Sequence, residues 1–265
     1  MDPVENTREI IRYHRGEIER VPDKVVTEYP VTLKINGEEF ATMVSSPEYI
    51  EDMAVGFLAS EGVIRRYDDI DDMWFDEREG FVHIKTQRMN EFYRKFHSKR
   101  YITSCCGKSR QGFYFFNDAK TAKTMSDINV TLSFEDIFRL MGLMQSSAEI
   151  FRDTGGVHNA ALCDKQGIVL SRMDIGRHNA LDKIYGHCLR HDIPLKGKII
   201  AFSGRISSEI LLKVAKIGCE VVLSKSAPTE LALQLADDLG ITAVGFIRNQ
   251  SLNVYTHPSR IEDLR

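Results

Sequence analysis

The chain has 265 residues and a mass of 30.2 kDa, enough for one large domain or two modest ones with a core that needs no disulfide or structural metal. Lys plus Arg number 35 against 38 Asp plus Glu, a formal charge of -3, which excludes a dominant polycationic nucleic-acid binder. With 43% apolar and 28% charged residues, no run of membrane-spanning length and no apolar signal-peptide segment in residues 1–20, the expectation is a globular protein of the cytoplasm.

Residues 1–22 are polar and read as an arm or a poorly committed first strand. From residue 23 the pattern becomes strand, turn, strand, with Asn36-Gly37 as the hairpin signal. Met53, Phe57 and Leu58 then fall at helical spacing over 49–64, with Gly62 as the stop and Ala54, Gly56 and Ala59 leaving room for close packing. Residues 66–79 are acidic and turn-like and hold the single Trp, Trp74; residues 81–85 alternate as a strand. Eight Lys or Arg and one acid, Glu91, lie between Lys85 and Arg110, either as a solvated face or as the rim of an anion site.

Residues 118–132 read as a linker. Ser133 with Asp136 forms a variant capping box for a helix whose apolar stripe runs from Phe134 to Phe151, about five turns. Strands are expected at 159–163 and 168–174, a helix at 179–191, then strand 198–202, helix 207–217, strand 221–223, helix 229–239 capped by Thr229, strand 242–247 and an edge strand at 254–256. The fold class is therefore α/β: a mixed, mainly parallel sheet with helices on its faces in the C-terminal half, preceded by a smaller α+β N-terminal region. The division expected is 1–120, ending in a cysteine loop, and 121–265.

Five cysteines are an odd number without the spacing of a disulfide framework. Cys105 and Cys106 are adjacent, set among small and hydroxyl residues with Lys108 and Arg110 behind them. Nearby cations favour the thiolate, which is the reactive form, and Gly107 lets the backbone turn to expose a sulfur. A buried thiol pair in a strand is the plain alternative. No CxxC or HExxH pattern is present, so no metal site is expected.

Three other places gather polar groups. Gly155-Gly156 before His158 suits a tight turn or a close backbone approach, and His158 suits acid-base work or hydrogen bonding to an anion. In 174–183, Arg177 can hold a phosphate or carboxylate bidentately beside His178 at a helix start; an Asp174–Arg177 pair tying the loop is the structural alternative. Ser203 and Arg205 follow a strand, as do residues 224–229 and the run Phe246, Ile247, Arg248, Asn249, Gln250 and Ser251. None is a P-loop or a dinucleotide fingerprint. All occupy the strand ends of one sheet, where open α/β folds bind ligands, and together they suit a large, polar, phosphate-bearing molecule.

These segments resemble the formate dehydrogenase accessory sulfurtransferases, the FdhD family. The resemblance is carried by CCGKS at 105–109, TGGVHNAAL at 154–162, DIGRHNALDK at 174–183, SGRISSEI at 203–210, KSAPT at 225–229, GFIR at 245–248 and NVYTHPSRI at 253–261. It implies a cytidine-deaminase-like fold without that fold's zinc chemistry, and a homodimer. It implies transfer of persulfide sulfur from a cysteine desulfurase to the molybdenum cofactor in its bis-(molybdopterin guanine dinucleotide) form, bound as substrate, for a formate dehydrogenase apoenzyme. Many members carry CxxCGK, whereas this chain has Thr103 at the first cysteine and Cys106-Gly107-Lys108 at the match. Cys106 is thus the expected carrier, with Cys105 a resolving thiol or first acceptor. Residues 246–251 best match the nucleotide-binding segment, with His158, Arg177, His178, Ser203 and Arg205 as the wider pocket. A cofactor-binding chaperone without covalent sulfur chemistry is the alternative that shares this pocket. A zinc-dependent deaminase is a third, disfavoured by the missing ligand pattern.

Overall fold

The computed structural model describes residues 3–88, 100–102, 122–147, 150 and 154–265. The chain opens with a hairpin of β1 (Glu5–His14) and β2 (Glu17–Val26), a separate two-stranded sheet. The expected arm is thus a long antiparallel ribbon. Its apolar residues Ile11, Tyr13 and Ile18 face solvent, so it lacks the buried alternation that marks a strand in a sequence.

A five-stranded sheet follows, in the order β5-β6-β3-β4-β7. β3 (Tyr29–Ile35) and β4 (Glu38–Ser45) are joined through Asn36 and Gly37, both at positive φ, as an Asn-Gly hairpin requires. β5 (Asp72–Asp76) pairs with β6 (Phe81–Lys85) inside the region expected to be turn-like. Trp74 is exposed and stacks on His83 at 4.7 Å, with Lys85 Nζ 5.0 Å from its ring. β7 (Arg100–Ile102) lies parallel to β4, with Ile102 opposite Met43.

Between the sheets lies α1 (Ile50–Glu61), ended by Gly62 in the left-handed region as the sequence predicts. α1 crosses α3 (Arg177–Arg190) at two glycines. A Cβ on Gly56 would overlap the Asp182 carbonyl and lie 2.8 Å from the Gly186 nitrogen; one on Gly186 would overlap the Asp52 carbonyl. The backbones therefore touch, and the small residues of α1 are the reason.

The six-stranded sheet has the order β13-β12-β11-β10-β8-β9, from β8 (His158–Cys163), β9 (Ile168–Asp174), β10 (Ile199–Phe202), β11 (Val221–Ser224), β12 (Thr242–Arg248) and β13 (Ser251–Val254). Only β10–β11 and β11–β12 pair in parallel; β8, β9 and β13 join antiparallel. The sheet is mixed, not mainly parallel, because short turns at 164–167 and 249–250 return the chain as hairpins at both flanks. The last strand precedes the expected 254–256. Period-two alternation divides the core: Ile199, Ala201 and Val221 meet α2 (Phe134–Ser146), while Ile200, Phe202 and Val222 face α3, α4 (Ser208–Ile217) and α5 (Glu230–Leu239).

The capping box of α2 is formed: Ser133 Oγ accepts from the Asp136 N–H, and the Asp136 carboxylate accepts from the Ser133 N–H. The helix ends at Ser146, short of five turns, and residues 148–149 and 151–153 lie outside the described set. Thr229 occupies the N-cap of α5 but its side chain makes no capping bond. One apolar cluster runs from β3, β4 and α1 into α3, α4 and α5. The expected boundary near residue 120 falls outside the described residues. No helix among them is long and apolar enough to cross a membrane.

Candidate functional site

Parallel strands β10, β11 and β12 deliver Phe202, Ser224 and Arg248 to one edge of the six-stranded sheet. The two antiparallel steps through β8 bring His158 and Asp174, directly paired, to the same edge. From β12 to β9 that edge spans four inter-strand steps of about 4.8 Å, about 19 Å in all. The sequence-predicted loops are therefore brought together, and the α3 and α4 helices start there.

Ser203 is the hub. Its Oγ accepts from the Asn159 N–H at 2.9 Å and lies 3.5 Å from His158 Nδ1, and its carbonyl accepts from Ser226 Oγ at 3.3 Å. Ser224 Oγ donates to the Gly204 carbonyl at 2.7 Å. A Cβ at Gly204 would press on the Phe202 ring at 2.9 Å, so the backbone turn itself fills this space. Ile206 bridges to Pro228 and fastens the loops after β10 and β11 together. Arg205 is left exposed.

The imidazole of His158 is half-buried and sits near Phe202. Burial first, then the charges of Arg177 and His178, push its pKa down against the opposing pull of Asp174. A neutral ring can accept a proton at one nitrogen and donate from the other. His178 faces the Glu209 carboxylate at 3.1 Å, linking the starts of α3 and α4. Before His158, Gly155 takes a positive φ, and a Cβ on Gly156 would meet the Val26 side chain at 2.6 Å. The two glycines divide the tasks of turning and of close approach.

Asp174 pairs with Lys183 at 2.7 Å, both fully buried. Its other oxygen accepts from the Gly176 N–H and from Asn179 Nδ2. Ser46, just past β4, joins this cluster: its N–H donates to Asp174, its Oγ accepts from the Ile175 N–H, and its carbonyl accepts from Lys183. Sequence reasoning missed Ser46 and Lys183. The available signal was a lysine on the apolar face of α3, one turn from Asn179 and Ala180.

The run 246–251 divides into three. Phe246 is half-buried at positive φ, its N–H donating to the Ser226 carbonyl, within a β-bulge between Gly245 and Arg248. Ile247 is 2% exposed and belongs to the core under α2, so its side chain is not available to a ligand. Arg248, Asn249, Gln250 and Ser251 form the exposed hairpin tip, with Asn249 and Gln250 both at positive φ. The Arg248 guanidinium lies 5.7 Å from the Phe246 ring.

Arg177, Arg205, Lys225 and Arg248 line the edge, while Asp174 is matched by Lys183 and Glu209 faces His178. The electrostatic balance favours an anion, and the length favours an extended one. Elsewhere among the described residues, Asp52, His187 and His191 come within metal-ligand reach of one another. Arg190 and Arg172 already hold the Asp52 carboxylate at 2.7 and 3.2 Å, so this grouping is a charge network at the α1–α3 crossing.

Cys163, Cys188 and Cys219 are buried, and burial pushes the thiols of Cys163 and Cys188 up to about 12 and about 11 and that of Cys219 higher still. They stay protonated and inert. Cys105 and Cys106 lie outside the described residues.

The sequence profile of the FdhD/NarQ family matches residues 26–262. The chain is 56% identical over 260 residues to the sulfur carrier protein FdhD of Shouchella clausii strain KSM-K16, covering 98% of this chain and 97% of that one. It is 54% identical over 262 residues to the protein of that name in Bacillus subtilis strain 168, covering 99% of each. A crystal structure from Desulfotalea psychrophila, of a protein described there as a formate dehydrogenase accessory protein, superposes with a TM-score of 0.81 at 22% identity, covering 98% of this chain and 100% of that one; at that identity it speaks for the fold alone.

Proposed function

The chain belongs to the FdhD/NarQ family, and from that membership we propose that it is a sulfur carrier. It takes sulfur from a cysteine desulfurase as a persulfide on Cys106. It passes that sulfur to the molybdenum cofactor, in the bis-(molybdopterin guanine dinucleotide) form, for a formate dehydrogenase apoenzyme. The same reading takes the cytoplasm as compartment, a homodimer as assembly and a cytidine-deaminase-like form for the six-stranded unit.

The observation that carries the reading is where β7 ends. β7 runs parallel to β4 with Ile102 beside Met43, and three residues beyond Met43 is Ser46, bonded to the site turn at Asp174 and Ile175. β7 therefore ends, at Ile102, on the side of the strand-end edge. Cys106 follows Ile102 by four residues, a tether of at most about 14 Å. Three of the five thiols are disqualified by burial, which leaves the adjacent pair.

In the first step the Cys106 thiolate attacks the terminal sulfur of the desulfurase persulfide. A new S–S bond forms, the old one breaks, and the desulfurase cysteine leaves as its thiolate, with no net oxidation. Lys108 and Arg110 favour the attacking thiolate. Cys105 serves as first acceptor, or as resolving thiol whose attack on Cys106 Sγ forms the Cys105–Cys106 disulfide and releases the outer sulfur to the cofactor at the sulfide level, the two thiols supplying the two electrons. The anionic cofactor lies along the edge from Phe246 and Arg248 past Ser203 and Arg205 to Arg177, His178 and His158. Backbone amides at the starts of α3 and α4 assist with the phosphates, and the main contribution is positioning.

Complementation tests this reading. In a bacterial strain deleted for its own FdhD, the wild-type chain restores formate dehydrogenase activity and the double variant Cys105→Ala/Cys106→Ala does not. Full activity of the double variant would replace sulfur transfer with chaperoning of the cofactor through the same pocket.

A further inference from the structure

We propose that Asp174 and Lys183 are positioning residues for the strand-end pocket, an inference that rests on the cofactor-binding reading above. Both side chains are 0% exposed, and every polar atom of the pair is used. Lys183 Nζ donates to Asp174 Oδ2 at 2.7 Å and to the carbonyls of Ser46 and Met173 at 3.3 Å. Asp174 Oδ2 also accepts from the Ser46 N–H at 3.0 Å, and Oδ1 accepts from the Gly176 N–H at 2.7 Å and Asn179 Nδ2 at 2.9 Å. Asn179 in turn donates to the Val44 carbonyl at 2.9 Å.

A buried ion pair is poor evidence for stability, since desolvation offsets most of its attraction and apolar replacements are often neutral. What this one does is geometric. It fixes the turn 175–176 and the first residues of α3, from which Arg177 and His178 project beside His158. It also binds that turn to residues 44–46, the strand end next to β7. One charge pair therefore sets both the cationic side of the pocket and its registration against the strand that leads to the cysteines. Ser46 lies 128 positions from Asp174 and 137 from Lys183, so the clasp is purely tertiary.

The test uses the full-length protein with guanosine diphosphate as probe, the nucleotide portion that the proposed cofactor carries twice. Asp174→Asn/Lys183→Met removes both charges at nearly constant volume, keeping an oxygen for Gly176 and Asn179 but none for Ser46. The expected result is a folded protein whose dissociation constant for the probe rises at least tenfold. Amide hydrogen exchange at 175–178 rises at least tenfold, with the remaining core unchanged. A merely structural pair would lower the melting temperature and raise exchange globally while folded molecules still bound the probe as wild type does. Wild-type affinity within twofold, with unchanged exchange at 175–178, overturns the proposal. If the double variant fails to fold, Ser46→Ala, which removes only the acceptor for the Ile175 N–H, is read in the same two ways. Failure of the wild-type protein to bind the probe would count against the nucleotide-binding reading instead, and the exchange measurement would then decide the positioning role alone.

Discussion

Gly56→Ala and Gly186→Ala put the helix-crossing argument at risk. Helical propensity alone favours alanine over glycine by about 1 kcal/mol in each case. At Gly56, however, the new methyl would overlap the Asp182 carbonyl and approach the Gly186 nitrogen at 2.8 Å; at Gly186 it would approach the Gly56 nitrogen at 2.7 Å. These obstacles are backbone, so no rotamer relieves them, and α1 must move off α3. Overpacking of this kind costs about 1–3 kcal/mol, and the enforced separation also pulls Asp52 away from Arg190 and His187. With backbone as the obstacle the cost lies at the top of that range, and less the propensity gain of about 1 kcal/mol it leaves a net loss of about 2 kcal/mol in either variant. At roughly 2–4 °C per kcal/mol for a chain of this size, the melting temperature falls by about 4–8 °C. Differential scanning calorimetry checks it. A melting temperature equal to or above wild type in both variants would refute the close-crossing reasoning and leave propensity as the governing effect.

Arg260 and Glu220 form a second buried pair at 3.0 Å, each 3% exposed, with Arg260 also donating to the carbonyls of Gly240, Met125 and Asp127. Arg260→Met strands those acceptors and a buried carboxylate, and is expected to destabilise by about 3–5 kcal/mol in urea titration. Acid sensitivity should have two windows. His158 and His187 are held below the ordinary histidine value, in both cases by burial first, so they stay neutral in the fold while the unfolded chain takes up protons. Their contribution is complete above about pH 6.5 and is lost as pH falls through their lower folded values. Asp164, held down mainly by its hydrogen bond from Lys198, loses its contribution only in the lower carboxylate range. Urea midpoints between pH 7.5 and 5.5 should fall for wild type and fall less for His158→Gln; an equal slope in both would contradict the His158 environment.

The legible parts of the fold were those in which local chemistry and tertiary burial agree. Asn36-Gly37, the Ser133–Asp136 box, the Gly62 stop and the strand-helix rhythm after residue 158 each have a backbone cause that acts over a few residues. The β1–β2 ribbon was obscure because its apolar residues are exposed, and β5 because Asp72 and Asp76 flank it as acids usually flank turns. The gathering of polar loops at one strand-end edge was legible, since small and hydroxyl residues follow several strands in turn. Ile247 could not be separated from its neighbours in advance: a bulge at Gly245–Arg248 decides which side chains of that run face the core. Ser46 was invisible because nothing local ties it to residues so far along the chain, and Lys183 showed only as a lysine on the apolar face of α3.

Persulfide loading is the most direct test of sulfur carriage. The purified chain is incubated with a cysteine desulfurase and cysteine, then analysed by intact mass and peptide mapping without reductant, alongside Cys105→Ala and Cys106→Ala. The expected result is a gain of about 32 Da on the 103–110 peptide that is absent from Cys106→Ala, with Cys163, Cys188 and Cys219 unmodified. No adduct on either adjacent cysteine, in the presence of a competent desulfurase, would contradict it.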